Sequence, residues 1–114
     1  MRLNHVALTV SDREKSAAFY GNWFGLTQRV HDDDHLLILA NASGALLALS
    51  EGKVPTQPPR TTHFGFQIDS PSVVKTLRTK FQDAGVIEAE WQEQGPTRVQ
   101  ILDPDDYRVE VYAF

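Results

Sequence analysis

Two stretches of this chain repeat one another, and the repeat limits the folds open to it. One is Asn4-His5-Val6-Ala7-Leu8-Thr9-Val10-Ser11-Asp12; the other is Thr62-His63-Phe64-Gly65-Phe66-Gln67-Ile68-Asp69-Ser70. They align without a gap at a shift of 58. Each alternates apolar and polar residues, carries a histidine near its start and ends in polar residues suited to open a helix. A strand repeated with its histidine points to one folding unit used twice, with a chemical group in each copy.

The segments that follow support this. Ser11 and Glu14 form an S-x-x-E capping box ahead of a helix that pairs Phe19 with Trp23 and Tyr20 with Phe24 and stops at Gly25. Strands are expected at about 26–31, 35–41 and 45–50, with turns at 31–35 and 41–44. Residues 51–61 hold three prolines among polar residues and read as a linker. The pattern then restarts. Residues 62–69 alternate, Ser70-Pro71 is an N-cap with proline at the first helical position, and Val73, Val74, Leu77 and Phe81 make a helical stripe ended by Gly85. Strands follow at about 86–93, 97–102 and 107–113, the last two joined by the turn Asp103-Pro104-Asp105-Asp106. The ends of the halves also align, now at a shift of 62, so that Ala48 matches Glu110. The fold class is α+β: one domain of residues 1–114, with a βαβββ module at 1–50, a linker at 51–61 and a second βαβββ module at 62–114.

In both copies the bulky apolar residues share one strand face, which should pack on the helix of its own half. The other face carries His5, Ala7 and Thr9 in the first half, and His63, Gly65, Gln67, Arg98, Gln100, Arg108, Glu110 and Tyr112 in the second. Such a sheet suits a curved wall around a cavity. Charged groups there need a metal, one another, a ligand or water. His5, His63 and Glu110 supply two imidazoles and a carboxylate, a set that suits iron(II) or manganese(II) first and also zinc, nickel or cobalt. It leaves coordination positions open for Lewis-acid chemistry. Other readings stay open. Glu110 between two valines would equally suit a solvated position on a half-buried strand. His31 and His35 around three aspartates suit a hydrated hairpin tip better than a second metal site. Arg98 is either an ordinary ion-pairing residue or, if it faces the cavity, a group that favours an anionic substrate.

Composition narrows the function classes. The net charge of −4 gives no electrostatic support for nucleic-acid binding. Without cysteines there are no disulfides, zinc–thiolate sites or cysteine nucleophile. The N-terminal residues lack an apolar signal core and no run suits a membrane span, so a cytoplasmic location is expected.

The duplicated βαβββ pattern, the opening Asn4-His5-Val6 with Phe19-Tyr20 in the next helix, His63, and the closing Asp103-Pro104-Asp105-Asp106-Tyr107-Arg108-Val109-Glu110 resemble the vicinal oxygen chelate superfamily. This family includes glyoxalase I, extradiol dioxygenases, fosfomycin-resistance transferases and bleomycin-resistance proteins. The resemblance covers the whole chain. It implies the glyoxalase/bleomycin resistance/dioxygenase fold, two modules forming a cup around a divalent metal. In short members the cup is often completed between two chains. His5 of one subunit would then join His63 and Glu110 of the other, giving two sites per homodimer.

The departures from the family are informative. Glyoxalase I has a fourth, glutamate ligand where this chain has Ala48, which argues against that activity. The penultimate-strand tyrosine of extradiol dioxygenases and of fosfomycin-resistance enzymes falls on Gln100. The threonine that the latter place after the first histidine falls on Ala7, and their cationic loop is replaced by Glu90-Trp91-Gln92-Glu93-Gln94, so fosfomycin modification is not expected. What the sequence supports is a small metal-dependent glyoxalase- or dioxygenase-like enzyme whose substrate chelates the metal through neighbouring oxygens. Gln100 would donate a hydrogen bond and Arg98 would orient an anion. Leu36, Ile38, Leu46 and Ala48 would add an apolar wall. The alternative is a non-catalytic protein that binds a drug or metabolite, as bleomycin-resistance proteins do.

Overall fold

The computed structural model describes residues 1–114, which resolve into two compact units, Met1–Gln57 and Pro58–Phe114. The boundary lies inside the proline-rich stretch read as a linker. No helix is long and apolar enough to cross a membrane.

The first unit runs β1 (His5–Val10), α1 (Arg13–Phe24), β2 (Gln28–Asp32), β3 (Leu37–Ala40) and β4 (Leu46–Glu51). Its sheet has the order β1-β4-β3-β2, with β1 parallel to β4 and the remaining pairs antiparallel. Parallel neighbours need a long crossover, and α1 with β2 and β3 supplies it. The alternation in β1 behaves as the sequence implies: Leu8 and Val10 are buried and His5 and Ala7 exposed. Tyr20, Leu37, Leu47 and Leu49 complete this core. Each such side chain contributes about 1.5–3 kcal/mol through burial.

The start of α1 differs from expectation. Asp12, not Ser11, is the N-cap: its backbone is extended and its Oδ1 accepts the Lys15 N–H at 3.0 Å. Glu14 then stands at the second helical position, not the third that a capping box needs, and pairs with Arg29 through both oxygens, at 3.1 and 2.6 Å. The cap shifts one residue along, so Asp12 serves the Lys15 N–H, while the Arg13 N–H is met by Glu51 Oε1 at 3.2 Å. The helix stops as expected at Gly25, whose φ of 67° is left-handed.

The second unit repeats the plan: β5 (Phe64–Gln67), α2 (Pro71–Asp83), β6 (Glu88–Gln92), β7 (Thr97–Leu102) and β8 (Arg108–Ala113), with sheet order β5-β8-β7-β6. Ser70 precedes Pro71 as expected, but its side chain makes no cap bond and instead meets the Ser72 hydroxyl at 3.0 Å. Val74 and Phe81 are buried, whereas Val73 is 46% exposed, so it lies off the stripe to which the sequence assigned it. Adjacent helical residues point about 100° apart, and the sheet takes only one of the two valines. α2 packs on β7 and β8. Val99, Ile101, Val109 and Val111 are buried, leaving Arg98, Gln100, Glu110 and Tyr112 on the opposite face.

Candidate metal centre in the second unit

Strand register gathers the polar side chains. Gly65 of β5 pairs with Glu110 of β8, Glu110 with Gln100 of β7, and Gln100 with Glu90 of β6. The four form a row across the sheet. A Cβ on Gly65 would stand 3.0 Å from both the Cβ and the carbonyl oxygen of Glu110. A side chain at position 65 would therefore crowd Glu110 and push it by a few tenths of an ångström.

His63 stands just before β5. Its Nδ1 is 2.9 Å from the Thr61 carbonyl, which can only accept, so Nδ1 carries the proton. Its Nε2 lies 3.3 Å from Glu110 Oε2. In the neutral ring that nitrogen holds a lone pair, and a lone pair facing a carboxylate oxygen repels it unless a proton or a cation stands between them. Two donors about 2.1 Å from one ion, at octahedral or tetrahedral angles, stand roughly 3.0–3.4 Å apart. The His63–Glu110 pair has that spacing. A ring fixed through its other nitrogen is also how metal-ligating histidines are held. The donor set therefore fits a divalent ion.

Arg98 faces the same space and is also ion-paired. Its Nη1 donates to Glu110 Oε1 at 3.0 Å, and its Nη2 donates to Glu90 Oε1 and to Gln92 Oε1, the latter at 3.0 Å. Burial works against the Arg98 cation, but the hydrogen bonds to Glu110 and Glu90 outweigh it and raise its pKa. Glu110 is thereby held by one oxygen while the other is turned to His63. Gln100 is only 3% exposed, and its Oε1 has no hydrogen-bond partner. These groups, with Arg60 and Thr61, line an open cavity of about 490 Å³.

The first unit presents a different row, in which Ala7 pairs with Ala48, Ala48 with Ile38, and Ile38 with His31. Ala48 occupies the position that Glu110 holds in the second. His5 begins β1 opposite Leu46 and is exposed. Within one chain no three His, Asp or Glu side chains gather in a group able to hold a metal ion. His31 and the aspartates form the hairpin tip: Asp33 accepts the backbone N–H groups of His35 and Leu36, each at 2.8 Å, and meets His31 Nε2 at 2.8 Å. The His35 N–H, the His31 ring and the Leu36 N–H hold the Asp33 pKa down to about 2.

The family model described as the glyoxalase/bleomycin resistance protein/dioxygenase superfamily matches residues 2–111. The chain belongs to this superfamily. It is 27% identical over 113 residues to the glutathione transferase FosA of Serratia marcescens, covering 97% of this chain and 79% of that enzyme. Among solved structures, a possible glyoxalase from Bacillus cereus superposes with a TM-score of 0.83 at 26% identity, covering 98% of each chain. A variant of the fosfomycin resistance protein FosX from Listeria monocytogenes, complexed with Mn(II) and 1S,2S-dihydroxypropylphosphonic acid, superposes with a TM-score of 0.81 at 22% identity, covering 97% of this chain and 88% of that one. This last likeness is one of fold.

Within this superfamily fold, sequence reasoning missed Glu90 as a cavity residue. Glu88 and Glu90 lie two apart and would share a face in a regular strand. The register shifts between them. Glu88 is drawn to Arg78 of α2 at 2.6 Å, and Glu90 to Arg98 on the cavity side. A bulge of this kind leaves no mark in the alternation. Thr61 was also missed, because its part is played by a backbone carbonyl.

Proposed function

We propose that this chain is a metal-dependent enzyme that acts on a small substrate able to chelate a divalent ion through vicinal oxygens. The observation that carries the reading is the His63–Glu110 pair, with Nε2 and Oε2 at 3.3 Å and the ring fixed by Thr61. His63 and Glu110 would hold the ion together with His5 contributed by a second copy of the chain. The 114 residues would act as one domain within a homodimer that has two shared sites. Iron(II) or manganese(II) suits one carboxylate and two imidazoles best, with zinc, nickel and cobalt compatible. Such an ion supplies Lewis acidity that stabilises negative charge developing on a substrate oxygen.

The chain's own groups have distinct tasks. Arg98 holds Glu110 in its one-oxygen orientation. Gln100 meets the substrate beside the ion. Its unpartnered atom is a carbonyl oxygen, so it accepts a hydrogen bond as oriented, where the sequence reading had it donate. The departures at Ala48, Ala7 and Gln100 separate this site from those of glyoxalase I and the fosfomycin-modifying enzymes. The binding-protein alternative has the same cavity and no turnover.

Metal analysis of the purified protein is the test. Stoichiometric metal is expected, and each of His5→Ala, His63→Ala and Glu110→Ala should remove it. Mixing His5→Ala with Glu110→Ala subunits should restore one metal per dimer, because one of the two shared sites regains all three ligands. A metal-free protein that binds a flat aromatic ligand tightly would sink the enzyme reading. Failure of the mixed dimer to recover metal would sink the shared site.

A further inference from the structure

The charges around the cavity are not free to meet a ligand. Arg98 Nη1 is held by Glu110 and Nη2 by both Glu90 and Gln92. An entering anion would have to break one of these charge-assisted bonds and would face two carboxylates as it did so. The other cation, Arg60, is 76% exposed and 4.0 Å from Glu90 Oε2, where solvent screens it. Two arginines and two glutamates balance in the lining. Besides His63, which the proposed ion would take, the lining leaves Thr61 and the buried Gln100, whose carbonyl oxygen needs a donor. A hydroxyl group can supply that donor; an ionised carboxylate, which only accepts, cannot.

We infer that Glu90 sets the charge preference on the Arg98 side of this cavity: with Glu110 it occupies Arg98, bars anionic groups from it and reserves that side, apart from the proposed ion, for an uncharged group bearing hydroxyls. This rests on the proposed vicinal-oxygen chemistry and narrows it. An anionic group of the kind that Arg98 suggested from sequence is turned away from Arg98 itself, and the group that meets this side of the cavity is a neutral one. Glu90 is a specificity residue here and takes no part in bond making.

The test follows the Arg98 Nε–H and Gln100 side-chain amide signals by NMR. Inorganic phosphate and, separately, catechol as an uncharged vicinal-oxygen probe are titrated into the protein as purified and after EDTA treatment. In the EDTA-treated wild type, catechol should shift Gln100 and phosphate should leave Arg98 unmoved. In Glu90→Gln, phosphate should shift Arg98 with an affinity about tenfold or more above wild type, the size of one freed charge-assisted bond. Phosphate that shifts Arg98 in the EDTA-treated wild type overturns the proposal, and that arm needs no variant to fold. So does a folded Glu90→Gln protein with no gain for phosphate. Failure of the metal reading shows instead as absent metal, with the phosphate response of EDTA-treated protein unaffected.

Discussion

The two halves share a plan and differ on one face. Across the first sheet the row reads Ala7, Ala48, Ile38, His31; across the second it reads Gly65, Glu110, Gln100, Glu90. The helix-facing rows are alike, with Leu47 and Leu49 standing where Val109 and Val111 stand. The difference teaches where a duplicated unit is free to change. Residues between sheet and helix must fill a packed space and tolerate little. Residues on the other face answer only to one another and to a ligand, so one copy has kept small and apolar side chains while the other carries a charged network.

Several experiments would break or sharpen this contrast. The largest effect is on metal. Glu110→Ala should weaken metal binding by more than about 100-fold, since even the groups behind metal ligands carry roughly 10–100-fold. Ala48→Ser, its counterpart, should leave binding unchanged; an equal loss would mean that the halves are functionally alike. For stability, Phe81→Ala should cost about 3–5 kcal/mol and Leu47→Ala about 2–5 kcal/mol in chemical denaturation, because both leave cavities in closed cores. A much smaller cost for either would show that one half is the looser.

Gly65→Ala should cost about 1–3 kcal/mol by overpacking against Glu110, and should lower metal affinity with it. Ala7→Gly, in the matching row, should cost no more than about 1 kcal/mol through added chain entropy. The helix starts differ in the opposite sense. Asp12→Ala should cost about 0.5–2 kcal/mol because a real cap bond is lost. Ser70→Ala should stay within about 0.5 kcal/mol because Ser70 makes no such bond. Least in effect is Asp33. Its folded pKa is depressed to about 2, so it favours the folded state above the ordinary aspartate value of 3.8, and the contribution fades as pH falls through about 2. Carboxyl-carbon NMR titration reads that midpoint, and a midpoint at the ordinary value would mean that the hairpin tip is not formed.

Much of this was legible in advance because it is local. Alternation in residues 5–10 and 108–113, the glycine after each helix and the proline-rich interval mark the elements within a residue or two. The same alternation put His63, Arg98, Gln100 and Glu110 on one face. The helix starts one residue later than the S-x-x-E pattern implies, since Asp12 is as good a cap as Ser11 and, once it caps, Glu14 stands at the second helical position and pairs with Arg29.

By itself, then, the sequence determined the duplication, the order of elements and which side chains share a face, since periods of two and of 3.6 residues are properties of the backbone. Tertiary structure alone decided what those side chains do to one another. The antiparallel registers of β6, β7 and β8 bring Glu90, Arg98 and Glu110 into one chain of ion pairs, and the bulge after Glu88 sends one glutamate to the helix and the other to the cavity. The parallel pairing of β5 with β8 sets Gly65 against Glu110, where a side chain would crowd it. These contacts run between different strands, and their geometry depends on strand register, which the alternation narrows to one of two faces while the pairing and the bulge settle which residues meet.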